Sequence, residues 1–265
     1  MTDVAATHRR RRLGFLGFVA IVAVYLALIQ VGGLLIQHVS GEDSTTTTRG
    51  VVFTMAVPLG AALVFTGVVI AALGWWRPVL RDERPTSRWV WVVPALFVVA
   101  ILVGIDYSAL AEKGLGFVLL LLLVTQFVGW GEEGMFRGVG VTVLRDRGLT
   151  EGKVALWSSV IFGAVHLSNA IGHGASAIPQ AIAVSLAGYF FYLIRRVSRG
   201  NALNSIIHGL FDFSILSGTS ILVDQDSYPG SLAPILLYPV LGLALFFARR
   251  RIEPPAGPTS SPPAT

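Results

Sequence analysis

Three short stretches place ionisable side chains in otherwise apolar sequence. Glu132, Glu133 and Arg137 share one run, His166 lies in the next, and His208 and Asp212 lie two runs further on. Carboxylates and imidazoles together can move protons, activate a water for hydrolysis or bind a divalent metal. Ionisable groups in a membrane segment are costly, and by default they mark function. Glu133 and Arg137 stand four residues apart, the spacing of a helical ion pair, and read as a buried pair that holds its helix. Glu132 points about 100° away around the same helix, so one arginine does not serve both and Glu132 reads as the free carboxylate. His208 and Asp212 share a helical face, which Asn204 continues one turn earlier. Phe162 and His166 have the same spacing, and Phe162 by itself reads as core. Ser168, Asn169 and His173 read as loop residues without a role. There is no G-x-S-x-G and no H-E-x-x-H, so a serine elbow and a one-helix zinc pair are both missing.

The elements that must carry these groups are set by composition. Of 265 residues, 54% are hydrophobic and 13% charged, with a mean hydropathy of +0.70. A soluble domain has about 25% charged residues, so the chain reads as an integral membrane protein. With no cysteine, disulfides, thiolate metal sites and cysteine nucleophiles are excluded. Apolar runs occupy Leu13–Ile36, Val51–Trp75, Trp89–Ile105, Leu115–Leu144, Val154–Leu167, Ala177–Ile194, Ala202–Val223 and Leu232–Ala248. The expectation is an all-α polytopic fold of about eight transmembrane helices. The fourth run is overlong and should project or kink. The fifth is short and should break near Leu167–Ser176. Alternating β-barrel segments are absent. Gly131, Gly134, Gly138 and Gly140 should let neighbours approach the fourth helix closely.

Orientation follows the basic residues. With the N-terminus in the cytoplasm, 17 of the 20 Lys and Arg residues fall on the cytoplasmic side, including Arg9–Arg12, Arg195 and Arg196. Asp224 and Asp226 then lie outside, and both termini are cytoplasmic. The net charge of +5 therefore reads as topology and not as nucleic-acid binding. The Arg-over-Lys bias suggests a bacterial source, hence a multi-pass plasma-membrane protein. Residues 1–12 read as a basic start, 13–114 as three N-terminal helices, 115–223 as the catalytic core, 224–251 as the last helix and 252–265 as a disordered Pro-rich tail. The first run is too long for a signal peptide and reads as an uncleaved helix. Measured from the Arg-rich ends of their helices, Glu132 and His166 lie about 18 Å deep, Asp212 about 15 Å and His208 about 9 Å, which predicts one shared site.

Glu132-Glu133-Gly-Met-Phe-Arg137 matches E-E-x-x-x-R, Phe162-Gly-Ala-Val-His166 matches F-x-x-x-H, and His208-Gly-Leu-Phe-Asp212 matches H-x-x-x-N/D. In this order, within Leu115 to Ser220, they resemble the CPBP (Abi) family of CAAX proteases and bacteriocin-processing proteins, which includes the type II CAAX prenyl endopeptidase. The resemblance implies an intramembrane endopeptidase with Glu132 as general base. His166 would then hold the water, and His208, oriented by Asp212, would stabilise the oxyanion. Substrates would be peptides or membrane proteins, prenylated or bacteriocin-like ones among them. No cofactor is expected. The alternatives are a zinc protease with His166, His208, Glu132 and Asp212 as ligands, a non-proteolytic immunity or scaffold protein, and a proton-coupled transporter.

Overall fold

The computed structural model describes residues 11–84, 86–219 and 228–253. Arg9 and Arg10, Asp224 and Asp226, the end of the seventh run at 220–223 and the tail at 254–265 lie outside the described residues. Every apolar run forms a helix. They are α1 (Phe15–Ser40), α2 (Thr48–Leu73), α3 (Val92–Gly104), α4 (Leu115–Asp146), α5 (Glu151–Val165), α6 (Ala177–Val197), α7 (Asn201–Thr219) and α8 (Leu232–Ala248). Among the described residues there is no strand, only an isolated bridge between Arg81 and Gly200.

Among the described residues, five or six of the eight expected helices are long and apolar enough to cross a membrane. α1, α2, α4 and the segments Gly174–Val197 and Pro229–Arg251 qualify. Arg88–Gly104 with Tyr107–Lys113 makes a sixth if that pair, bent by 59°, is one span. α5 and α7, the latter described only to Thr219, do not qualify within those residues. α5 has 15 residues, about 22 Å of helix against about 30 Å of hydrocarbon. α7 carries Asn201, Asn204, His208 and Asp212 along one helix. Leucines and valines such as Leu16, Val39 and Leu115 are exposed on the outside, the surface expected to face lipid.

The expected break after the fifth run is present. α5 ends at Val165, and the chain continues in single turns, His166–Asn169, Ala170–His173 and Gly174–Ser176, before α6. α4 is also irregular. Glu133–Gly140 is wound as a π-helix between the α-helical stretches Leu115–Glu132 and Val141–Asp146.

Glycines set two close helix crossings. A Cβ on Gly129 of α4 would lie 2.2 Å from the Ser205 carbonyl oxygen and 2.7 Å from the Gly209 nitrogen of α7. A Cβ on Gly163 of α5 would lie 2.5 Å from the Ala181 carbonyl oxygen of α6. Small residues let helix backbones touch, and these crossings draw α4, α7, α5 and α6 together. Gly134, Gly138 and Gly140 do serve packing, against Thr66, Val79 and Phe18, but these neighbours are side chains, not backbones.

The Arg-rich end does more than orient the chain. Asp82, in the α2–α3 connection, accepts hydrogen bonds from Arg145 and Arg195, each at 2.9 Å. Arg195 is fully buried and also donates to the Val79 and Pro78 carbonyls at 2.7 Å. Arg196 pairs with Glu253 at 2.6 Å, and Ile252 is buried, its carbonyl accepting from Ser87 N and Thr86 Oγ1 at 2.8 Å. Ile252 and Glu253, expected at the start of a disordered tail, are thus tied down, Ile252 by its buried side chain and its carbonyl's bonds to the α2–α3 connection and Glu253 by Arg196 of α6.

Burial by itself would raise the Asp82 carboxyl, but Arg195 and Arg145 outweigh it and hold it below the usual carboxylate range. A depressed folded pKa stabilises the fold above the unfolded value of about 4, and that stabilisation is lost as pH falls through the folded pKa. Asp82→Asn, which keeps an acceptor but removes the charge, should cost about 2 kcal/mol at neutral pH. The gap between variant and wild type should close in acid. Thermal unfolding in detergent across pH measures both, and a gap that does not narrow in acid would show that the charge is not what matters.

Candidate active site

The site is built where α4, α5 and α7 meet. At the Gly129–Gly209 crossing, the α4 residues three and four positions on, Glu132 and Glu133, come to lie beside His208. The two adjacent glutamates then have different surroundings. Glu133 is fully buried. Its Oε1 lies 3.2 Å from Arg137 Nη1 and accepts from His208 Nδ1 at 2.8 Å, while its Oε2 accepts from Asn204 Nδ2. The Arg137 guanidinium, also fully buried, lies 3.8 Å over the Phe162 ring, a cation–π contact. Arg137 thus locks α4 to α5, and Glu133 locks α4 to α7.

Glu132 turns elsewhere. Its side chain is 13% exposed and lines a cavity of about 470 Å3 with His166, His208 and Asp212. His208 Nε2 is 3.7 Å from Glu132 Oε2 and 3.6 Å from Asp212 Oδ2. The His208 ring stacks on Phe191, with centroids 4.3 Å apart. His166 is fixed from behind, because its Nδ1 lies 2.8 Å from the Phe162 carbonyl oxygen and must donate there. That leaves Nε2 for the cavity. Phe162 packs edge-on against His166 and beneath Arg137, so it supports both.

The structure therefore brings Glu132, His166, His208 and Asp212 together, backed by Glu133, Arg137, Phe162 and Asn204. One expected partnership changes. The carboxylate that orients His208 is Glu133 at Nδ1, and Asp212 sits at the other nitrogen. Four-residue spacing puts His208 and Asp212 on one face, but the α4–α7 crossing supplies a closer carboxylate.

Asn169, read from sequence as a loop residue, also lines the cavity. It accepts from Gln30 of α1 at 2.8 Å and donates to Gln180 of α6 at 3.0 Å, and Gln30 also donates to Ser168 at 3.2 Å. Its signal was its place one turn after His166. The His173 side chain lies outside the described residues. Tyr238 of α8 completes the wall, with no motif to announce it.

As potential metal donors, His166 and His208 each keep Nε2, while both Nδ1 atoms are engaged. Among the described residues no group of three or more His, Asp or Glu side chains is arranged to hold a metal ion.

Among curated proteins none matches the chain at a significant level. Residues 114–214 match the family model described as Type II CAAX prenyl endopeptidase Rce1-like. The matched stretch runs from the start of α4 into α7 and contains every motif residue that meets in the cavity. Over these residues the chain, a multi-pass membrane protein, is similar to the type II CAAX prenyl endopeptidases of that family model.

Proposed function

We propose that this chain is an intramembrane endopeptidase in which Glu132 activates the attacking water without a metal ion. The observation that carries this reading is the divergence of two adjacent glutamates. Both Glu133 oxygens are committed to Arg137, His208 and Asn204, whereas Glu132 opens onto the cavity shared by both histidines. A general base needs a free carboxylate within reach of water, and Glu132 meets that need.

In this mechanism His166 accepts a hydrogen bond from the water at Nε2, since Nδ1–H is given to Phe162. Glu132 takes a proton as the water oxygen bonds to the scissile carbonyl carbon. His208, held by Glu133 at Nδ1, donates from Nε2 to the developing oxyanion. Asp212 faces that same nitrogen and favours an N–H there. The proton on Glu132 then passes to the leaving nitrogen as the C–N bond breaks. The substrate is a membrane-associated peptide, and the family points to C-terminal prenylated ones. The Arg-rich end faces the cytoplasm, so the cavity is reached from that side or from the bilayer.

Zinc chemistry with the same residues predicts a different outcome in one experiment. The purified protein should contain far less than one equivalent of metal and should keep its activity after chelation and dialysis. Near-stoichiometric zinc, with activity lost on its removal and restored on return, would make Glu132, His166, His208 and Asp212 ligands. A substrate can be found by comparing new N-termini in membranes carrying the wild type with those carrying Glu132→Ala.

A further inference from the structure

The seam between α1 and α4 opens at the Arg-rich end of the protein. Phe18 of α1 packs on Gly140 of α4, where an added Cβ would lie 2.8 Å from the ring. Beyond that contact the two helices part around a cleft of about 520 Å3, walled by Arg11, Arg12, Leu13, Val143, Asp146 and Arg147. Its rim is held by backbone. Arg11 N donates to the Leu73 carbonyl at 3.3 Å, and Trp75 Nε1 donates to the Arg11 carbonyl at 2.9 Å. Those bonds tie Arg11 and Arg12 to the end of α2. Arg147 stands opposite, one residue past α4, with its guanidinium 5.7 Å from the centre of the Phe15 ring.

Other arginines at this end are engaged by carboxylates. Arg77 pairs with Glu83 at 2.8 Å, Arg145 with Asp82 and Glu151, Arg195 with Asp82, and Arg196 with Glu253. Arg11, Arg12 and Arg147 form no ion pair among the described residues, yet they share one cleft in which Asp146 is the single acidic wall residue. The cleft is therefore net positive. It also sits where lipid headgroups lie. α1 begins at Phe15 and at once exposes Leu16 and Val19, and exposed Trp76 stands at the end of α2. Tryptophan favours the boundary between membrane and water. Guanidinium groups grip phosphate through paired N–H donors, and each arginine near a membrane surface favours an anionic lipid about fivefold.

We propose that this cleft binds the headgroup of one anionic phospholipid, with Arg11, Arg12 and Arg147 around its phosphate and its acyl chains along α1. The proposal does not depend on the proteolytic reading. The lipid bridges the seam, joining the residues before α1 to the residue after α4, the helix that carries Glu132. A free phosphate offers the same charge but has no chains to lay over Leu16 and Val19.

The test titrates the full chain in neutral detergent with phosphatidylglycerol and counts bound lipid by native mass spectrometry. One molecule should bind at least about tenfold more tightly than phosphatidylcholine. R11Q/R12Q/R147Q should weaken that binding at least about tenfold. R249Q/R250Q/R251Q removes as many charges from the same end of the protein, away from the cleft, and should change binding by less than about twofold. Arg147→Gln alone, which should cost about fivefold, is the milder version should the triple variant fold poorly. Inorganic phosphate at a large excess should not displace the lipid. Equal losses in the two triple variants would show general attraction to a basic surface and overturn the cleft. Equal binding of the two lipids would overturn its preference for an anion. Displacement by inorganic phosphate would assign the site to a free phosphate and overturn the lipid.

Discussion

Glu132→Gln should abolish cleavage, a loss of at least about a thousandfold, while the protein accumulates in the membrane at wild-type yield. Glutamine has the shape of glutamate and hydrogen-bonds similarly, but it cannot accept a proton from water. Glu133 cannot replace it. Although adjacent in sequence, its carboxylate is fully buried and held by Arg137, His208 and Asn204. Glu132 Oε2 instead lies 3.7 Å from His208 Nε2, beyond hydrogen-bond reach. The measurement is product formation by purified variant and wild type on the same substrate, with yield checked by gel filtration in detergent. Full activity in Glu132→Gln would remove the general base and with it the proposed mechanism.

Arg137→Ala should fail in a different way, by losing the folded protein. The substitution leaves the Glu133 carboxylate buried without its guanidinium and removes the cation that lies on Phe162. Breaking a buried pair from one side costs about 3–5 kcal/mol, a large part of a domain's stability. Monodisperse protein after extraction should drop severalfold or more. Replacing both partners, as Glu133→Leu with Arg137→Met, should restore much of the yield because no charge is stranded. It should not restore activity, because His208 loses the acceptor that orients its ring. Arg137→Ala protein as abundant and as active as wild type would mean that this pair does not hold the site.

Much of this arrangement is visible in the residues because lipid makes ionisable groups conspicuous. Against runs of Leu and Val, Glu132, Arg137, His166, His208 and Asp212 stand out, and four-residue spacing correctly joins Glu133 to Arg137. What stayed hidden depends on how helices cross. The partner of His208 is Glu133, 75 positions away in sequence, and it is chosen by the fit of Gly129 against Gly209. Tyr238 enters the cavity from a helix with no polar motif. The arginines at the helix ends are legible as topology, yet Arg195 is wholly buried and binds Asp82 together with backbone carbonyls. Of the eight apolar runs, five or six qualify as spans by length and composition among the described residues, where α5 is short and α7 carries its polar groups along one helix.

That last feature bears on how the protein is made. Helices that lipid accepts, such as α1, α2 and α4, can leave the translocon one by one. α5 and α7 have no such independence, since one is short and the other carries four strongly polar side chains. Each packs closely on a neighbour, α5 on α6 at Gly163 and α7 on α4 at Gly129. His166 arrives on the first of these dependent helices, and His208 with Asp212 on the second. In chain order Glu132 precedes both histidines, and the cavity they share exists only once α5 and α7 have docked.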